Sequence, residues 1–173
     1  MKQDALTLYK LIILFMLEHA DGSLTNAQVS NFMLEMDYTN YFNIQSAISM
    51  LEENGFITTE TIRNSSHLHI TSEGSAVLGY CIDDISEAIK QDVHQYLQKH
   101  KQEIREEMSV VADYFEVNKE EYIARCIVRE GSSNIIELNL NVASEEEANT
   151  ICSKWKEKSQ EVYAYLIQQL LAD

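Results

Sequence analysis

Proline is missing altogether from the 173-residue chain, although average usage of about 5% would supply several. This absence excludes a proline-rich linker between domains. Internal repeats and low-complexity tracts are also missing. The length fits one domain of ordinary size or two small ones, so the domain boundary has to come from the pattern of helices and strands.

Long hydrophobic runs are missing too. The longest, LIILFML at residues 11–17, has seven residues, whereas a membrane-spanning helix needs about 20. The N-terminal stretch MKQDALTLYK does not show the charged, apolar and small-residue regions of a signal peptide in order. We therefore expect a cytoplasmic protein without a membrane partner, in which residues 11–17 belong to a core helix.

Residues that support catalysis or metal binding are scarce. The three cysteines, Cys81, Cys126 and Cys152, are far apart and form no CxxC pair, so neither a zinc site nor a disulfide framework is indicated. No glycine-rich phosphate loop, EF-hand loop or Ser/His/Asp grouping is present. The sequence therefore predicts no enzyme, no cofactor and no metal, and it identifies no small-molecule ligand.

Basic residues are few in this chain. Thirteen basic residues stand against 28 acidic ones, which gives a formal net charge of −15. Residues 1–80 contain only Lys2, Lys10 and Arg63 against nine acids, a net charge of −6. Such a charge repels nucleic acid at long range, and Lys and Arg contacts to phosphate supply much of the affinity of DNA-binding proteins.

The first half of the chain nevertheless shows a clear order of elements. Periodic apolar residues predict helices at 5–20 and about 26–36, and Thr25 with Gln28 forms a capping box for the second. FITTETI and HLHIT predict two strands joined by the turn RNSS. A further helix, 71–85, follows, so the predicted order is α-α-α-β-β-α.

The third helix of this order begins, by prediction, at an Asn43 cap. Four apolar residues then fall on one face of the helix: Ile44, Ala47, Ile48 and Leu51. Gly55 is expected to end the helix in a left-handed conformation. The opposite face is polar and carries no Lys or Arg.

The second half of the chain changes character. Residues 86–108 predict one long helix with a narrow apolar stripe, which packs on the body of the protein or pairs with a second chain. SVVADYFEVN, YIARCIVRE and NIIELNLNVA predict an antiparallel three-stranded meander. Ser144 and Glu147 form a second capping box, which starts a last helix over one face of this sheet. The aromatic residues here form a core, a pocket or a subunit contact.

These patterns predict an α+β protein with two domains. Residues 1–85 form a winged helix-turn-helix domain, because AISMLEENGFITTETIRNSSHLHITSEGSAVL follows the pattern hxxLxxxGhI…hxhTxxG that is common in bacterial winged-helix regulators. Residues 86–173 form a C-terminal α+β domain: a linking or dimerisation helix, the three-stranded antiparallel sheet and the helix that covers it.

The resemblance extends over nearly the whole chain. LTNAQVSNFMLEMDYTNYFNIQSAISMLEENGFI and ELNLNVASEEEANTICSKWKEKSQEVYAYLIQQL resemble a bacterial family that is catalogued as a domain of unknown function, number 4364. This resemblance implies an N-terminal winged helix and a role in transcription. It implies no established activity.

If the first domain binds DNA, its contacts should come from the third helix and the hairpin. Polar side chains there suit base edges and phosphates, and Arg63 at the hairpin tip suits a minor groove. The predicted contact residues are Thr39, Asn40, Asn43, Gln45, Ser46, Ser49, Arg63, Asn64, Ser65 and His67. The competing interpretation is that these residues only solvate an exposed helix face.

Two hypotheses on function follow. The preferred one is a cytoplasmic, non-enzymatic, homodimeric transcription regulator that binds DNA through the third helix and the hairpin, with a C-terminal part for dimerisation or sensing. The alternative is a protein–protein interaction module on a winged-helix scaffold that does not bind DNA, which the acidic composition favours.

Overall fold

The protein combines helices with two three-stranded antiparallel sheets, which confirms the predicted α+β class. A computed structural model describes residues 4–130 and 133–172. The chain divides into two compact units, Met1–Ile104 and Arg105–Asp173. Each unit is described by itself below.

The first unit places a small sheet among helices. Its elements are α1 (Ala5–His19), β1 (Leu24–Thr25), α2 (Asn26–Glu35), α3 (Tyr41–Glu53), β2 (Ile57–Ile62), β3 (Ser65–Ile70), α4 (Ser72–Tyr80) and α5 (Glu87–Lys99). The strand order is β1-β3-β2, with Leu24 opposite Leu68 and Ile57 opposite Ile70. The short β1 is an addition to the predicted α-α-α-β-β-α order.

The apolar run of α1 forms the centre of this unit. All seven residues of Leu11–Leu17 are buried. They share one core with α2 and with the predicted inner face of α3, because Phe32, Ile44 and Leu51 are at most 1% exposed. Burial of one such side chain stabilises the fold by about 1.5–3 kcal/mol, so this cluster holds α3 firmly in place.

The helix ends agree with the sequence predictions in two of three cases. Thr25 and Gln28 form the predicted capping box of α2, and Gly55 follows α3 with a left-handed φ of +73°. The predicted Asn43 cap is wrong: Asn40 caps α3, because its side chain accepts the Asn43 N–H at 2.9 Å. Both asparagines suit a cap, and the earlier one adds Tyr41, Phe42 and Asn43 to the helix.

The predicted single helix over residues 86–108 is two helices. After α5, His100 leaves the helical region, and α6 (Lys101–Ser109) begins directly behind it. Val93, Leu97 and Ile104 are buried in the core of the first unit. The apolar stripe therefore packs on the body of the protein, and the boundary of the units lies after Ile104, whereas the sequence placed a domain boundary after residue 85.

The second unit contains the predicted meander and its covering helix. Its elements are β4 (Val110–Asn118), β5 (Glu121–Glu130), β6 (Ser133–Val142) and α7 (Glu145–Leu171), with β5 in the centre of the sheet. Ser144 and Glu147 form the predicted capping box of α7. Residues 131–132, between β5 and β6, lie outside the described residues.

The core of this unit lies between α7 and one face of the sheet. The helix buries Ala148, Cys152 and Trp155, and the indole Nε1 donates a hydrogen bond to the carbonyl of Ile127 at 3.1 Å. Cys126 of β5 lies fully buried on the same side of the sheet. A buried Trp with its N–H satisfied fixes the helix on the sheet.

Two of the three thiols should be chemically silent in the folded protein. Burial, with a smaller contribution from Cys152, raises the pKa of Cys126 to about 11, so only about one thiol in a thousand is ionised at pH 8. We expect a disulfide reagent to label Cys81, which is half-buried, before Cys126 and Cys152, which need unfolding. Equal labelling rates for all three thiols would contradict the burial of this pair.

The same raised pKa gives a pH dependence of stability. An unfolded thiol ionises near pH 8.5, below the folded value, so the thiolate form favours the unfolded chain. The contribution of Cys126 to the free energy of unfolding is complete below about pH 8.5 and is lost as the pH rises towards about 11. Urea titrations at rising pH measure it, and Cys126→Ala should reduce the slope.

Candidate functional site

The first unit has an open cavity where the beginnings of α2 and α3 meet the tip of the β2–β3 hairpin. Its volume is about 410 Å³. The lining residues are Thr25, Asn26, Ala27, Ser30, Asn31, Leu34, Tyr41, Asn64, Ser65 and Ser66. None of them carries a charge, and most carry a hydroxyl or amide group. We call these residues, together with Arg63, the α2–α3–hairpin face.

The hairpin tip carries one basic residue, Arg63, directly before Asn64 of the cavity lining. Ile62 pairs with Ser65, so Arg63 and Asn64 form a two-residue turn, in which Arg63 has a left-handed φ of +53°. Non-glycine residues adopt this conformation only in a few per cent of cases. Arg63 is the only Lys or Arg between residues 25 and 70, and its side chain is exposed.

The turn between α2 and α3 is tied to α5, because the Tyr38 hydroxyl donates to Asp92 Oδ2 at 2.5 Å. Burial and this hydrogen bond raise the pKa of Tyr38 far above its ordinary value. The dipole of α3 places partial positive charge at its N-terminus, and its two acids, Glu52 and Glu53, lie at the opposite end.

Gln45 of α3, a predicted DNA contact, is engaged inside the unit. Asn26 Nδ2 donates a hydrogen bond to Gln45 Oε1, and Gln45 Nε2 donates one back to Asn26 Oδ1, both at 2.9 Å. Gln45 Nε2 also donates to Ser30 Oγ at 3.2 Å. The Ser30 hydroxyl donates in turn to Asn26 Oδ1 at 3.0 Å. This network joins α3 to α2, so Gln45 positions the helix and is only half exposed.

Gln45→Ala should therefore lower stability. Removal of the amide leaves the Asn26 side chain without its α3 partner in a half-buried place, which costs about 1–3 kcal/mol. Urea unfolding followed by circular dichroism measures the change. Ser49→Ala, on the exposed side of the same helix, is the matched control and should stay within about 0.5 kcal/mol of the wild type. Equal stability of Gln45→Ala and wild type would contradict the network.

The remaining predicted contacts at and before α3 either form hydrogen bonds at the start of the helix or lie towards its surface. Asn40 caps the helix, and Asn43 Nδ2 donates to Thr39 Oγ1 at 2.9 Å. Ser46 is half-buried, whereas Ser49 is exposed. At the hairpin tip Asn64 and Ser65 are exposed beside Arg63. Of the ten predicted contacts, Asn64 and Ser65 line the cavity, and Arg63 precedes them in the turn.

His67 is the exception among the predicted contacts. It is 3% exposed, because β1 lies beside β3 and Thr25 stands directly opposite this histidine. A side chain with this burial is out of reach of DNA, so the structure does not support His67 as a DNA contact. Its neighbour His69 is more open, with Nε2 at 3.5 Å from a carboxylate oxygen of Glu60.

Sequence reasoning missed the apolar residues around the start of α3. Phe42 is 77% exposed and Tyr41 is 58% exposed, although large aromatic residues are ordinarily buried. Leu34 and Met36 at the end of α2 are also exposed. The signal was present in the sequence for Phe42, which lies on the opposite side of α3 from the apolar stripe, whereas Tyr41 lies one turn before Ile44 on the side of the stripe.

Other kinds of site find little support. Among residues 4–130 and 133–172, no three His, Cys, Asp or Glu side chains come together as a metal would require. No helix within the described ranges has both the length and the apolar character to cross a membrane.

Comparisons with known proteins give one match. A family model with the description "Domain of unknown function (DUF4364)" matches residues 9–170, which is nearly the entire chain. No curated protein and no solved structure matches the chain.

Proposed function

The chain belongs to the DUF4364 family, and we propose that it acts in transcription regulation by binding DNA through α3 and the β2–β3 hairpin. The proposed role is non-enzymatic and cytoplasmic, and a homodimer carries it out. The order α1-β1-α2-α3-β2-β3 supports a winged helix-turn-helix in the first unit. In that interpretation α3 is the recognition helix and the hairpin is the wing.

The observation that carries this proposal is the acid-free lining of the α2–α3–hairpin face. The chain carries a net charge of −15, yet the ten residues around the cavity are uncharged, and all but Ala27 and Leu34 offer a hydroxyl or amide group. Such groups pair with base edges and phosphate oxygens without bringing a negative charge near the DNA backbone. The partial positive charge of the α3 N-terminus acts in the same direction.

Because the proposed site has a single basic residue, its DNA affinity should depend only weakly on salt concentration. One arginine per chain releases few counterions, so the slope of log affinity against log salt should be about −1 per chain. A regulator that neutralises 6–10 phosphates gives roughly −5 to −9. Affinity would then depend on hydrogen bonds and shape more than on charge.

A filter-binding assay at low salt with genomic fragments tests the proposal. We expect a small set of fragments to be retained at protein concentrations of about 10 µM or below, because even non-specific binding commonly falls near that range. A repeat at higher salt measures the slope. Retention of no fragment at tens of micromolar, roughly the non-specific range, would contradict DNA binding.

A second candidate function binds a protein partner through exposed apolar residues, of which Leu34 and Tyr41 belong to the same face. The exposed Leu34, Met36, Tyr41 and Phe42 favour it, since an apolar surface rimmed by polar groups is typical of protein docking. This candidate predicts no DNA binding at low salt. It also predicts that the wild type retains a protein partner in a pull-down, whereas the Phe42→Glu variant does not.

A further inference from the structure

The helix α7 of the second unit has two unequal halves. Its buried residues, from Ala148 to Ser159, all lie in the first half, where the helix covers the sheet. Residues 160–172 include none that is buried. The large apolar side chains exposed there are Tyr163, Tyr165, Ile167, Leu170 and Leu171. Tyr165 lies two residues from both Tyr163 and Ile167 and is therefore on the other side of the helix. We call the remaining four residues the α7 end surface.

The apolar stripe of α7 continues beyond the sheet on the same helix face. Ser159, Val162, Leu166 and Leu170 follow Trp155 at steps of four, three, four and four residues, which keeps them on one side of a helix. Along this line Trp155 is 5% exposed, Val162 and Leu166 are half-buried, and Leu170 is 77% exposed. The stripe is thus covered at its beginning and open at its end.

The charge of this segment restricts the partner. From residue 160 to residue 172, Glu161 is the only charged side chain, in a chain of net charge −15. Nothing there attracts a nucleic acid or a charged peptide. Two copies of so acidic a chain repel each other least where neutral surfaces meet.

The exposed area fits a dimer. The four side chains leave roughly 400 Å² of mostly apolar surface per copy. With the half-buried Val162 and Leu166 beside them, two copies together reach about 1,000 Å², the lower bound for a specific interface. We propose that a second copy of this chain covers the α7 end surface, so that α7 of one copy packs along α7 of the other about a two-fold axis. This deepens the homodimer of the proposed function but requires no DNA.

Light scattering on the full chain, without DNA, tests the inference. We expect a particle of two 19.9 kDa chains, and Leu170→Glu should raise the dissociation constant of the dimer at least about 30-fold, because it places a charge in the interface twice. Phe42→Glu is the matched control. Its residue is equally exposed, at 77%, and the change in charge is the same, so the dimer should persist.

Three results would overturn the inference. The first is a wild type that has one chain per particle at every concentration. The second is a Leu170→Glu variant whose dimer dissociation constant equals that of the wild type. The third is a Phe42→Glu variant that no longer dimerises. Circular dichroism confirms that each variant is folded, which its exposed position leads us to expect. A stable dimer without DNA binding would contradict the proposed function and leave the dimer surface in place.

Discussion

Replacement of Gly74 by alanine should destabilise the first unit by about 3 kcal/mol or more, among the largest effects expected from one methyl group. A Cβ at this position would lie 2.1 Å from the carbonyl oxygen of Phe56 and 2.9 Å from Ile70 Cγ1. That carbonyl cannot move away, because it accepts the Thr71 N–H at 3.0 Å where the hairpin runs into α4. The clash would push α4 away from the hairpin.

Gly79→Ala in the same helix is the control. No atom lies within 4 Å of its Cβ position, so the change should stabilise the helix by about 0.4–1 kcal/mol. Thermal unfolding should show a loss of roughly 6–12 °C for Gly74→Ala and a small gain for Gly79→Ala. Similar melting temperatures for both variants would show that the hairpin and α4 do not meet in this way.

Arg63→Glu should weaken DNA binding at least about tenfold in each chain, and more in a dimer. The substitution removes the only basic side chain of residues 25–70 and puts an acid in its place at the hairpin tip. One lost phosphate contact and one new repulsion cost well over 1.4 kcal/mol, which is a factor of ten. Fluorescence anisotropy with a retained genomic fragment measures the affinity.

Two further variants separate charge from folding. Lys156→Glu on α7 changes the net charge of the chain equally, so its affinity should stay close to that of the wild type. Arg63→Asn removes the charge and suits the left-handed φ of +53° better than arginine does, so the turn stays intact. If Arg63→Asn bound as tightly as the wild type, the hairpin tip would play no part in DNA binding.

Features governed by neighbours in the chain were predictable from the sequence. The capping boxes Thr25–Gln28 and Ser144–Glu147 each need only four residues and appear as predicted. The alternation of Ile136, Leu138 and Leu140 predicted one face of β6, and these residues stand in register with the α7 side of β5. Patterns among residues close in the chain were therefore sufficient to predict most helices and strands and the α+β class.

Features governed by distant contacts were not predictable. The break at His100 falls in a stretch that looks helical throughout, and burial of Ile104 in the first core is a tertiary effect. The sequence gives no sign that Gln45 is hydrogen-bonded inside the unit, since its partner Asn26 is 19 residues away on α2. His67 is buried because β1 adds a third strand, and two residues are too few to show a period.

Amide hydrogen exchange with and without a bound DNA fragment tests the central claim most directly, because it locates the contact on the chain. The proposed binding mode predicts slower exchange in residues 39–46 and 62–66, where the start of α3 and the hairpin tip border the cavity. Exchange in α7 should stay the same. Protection confined to other elements, or no protection on a fragment that binds, would contradict the assignment of DNA binding to the α2–α3–hairpin face.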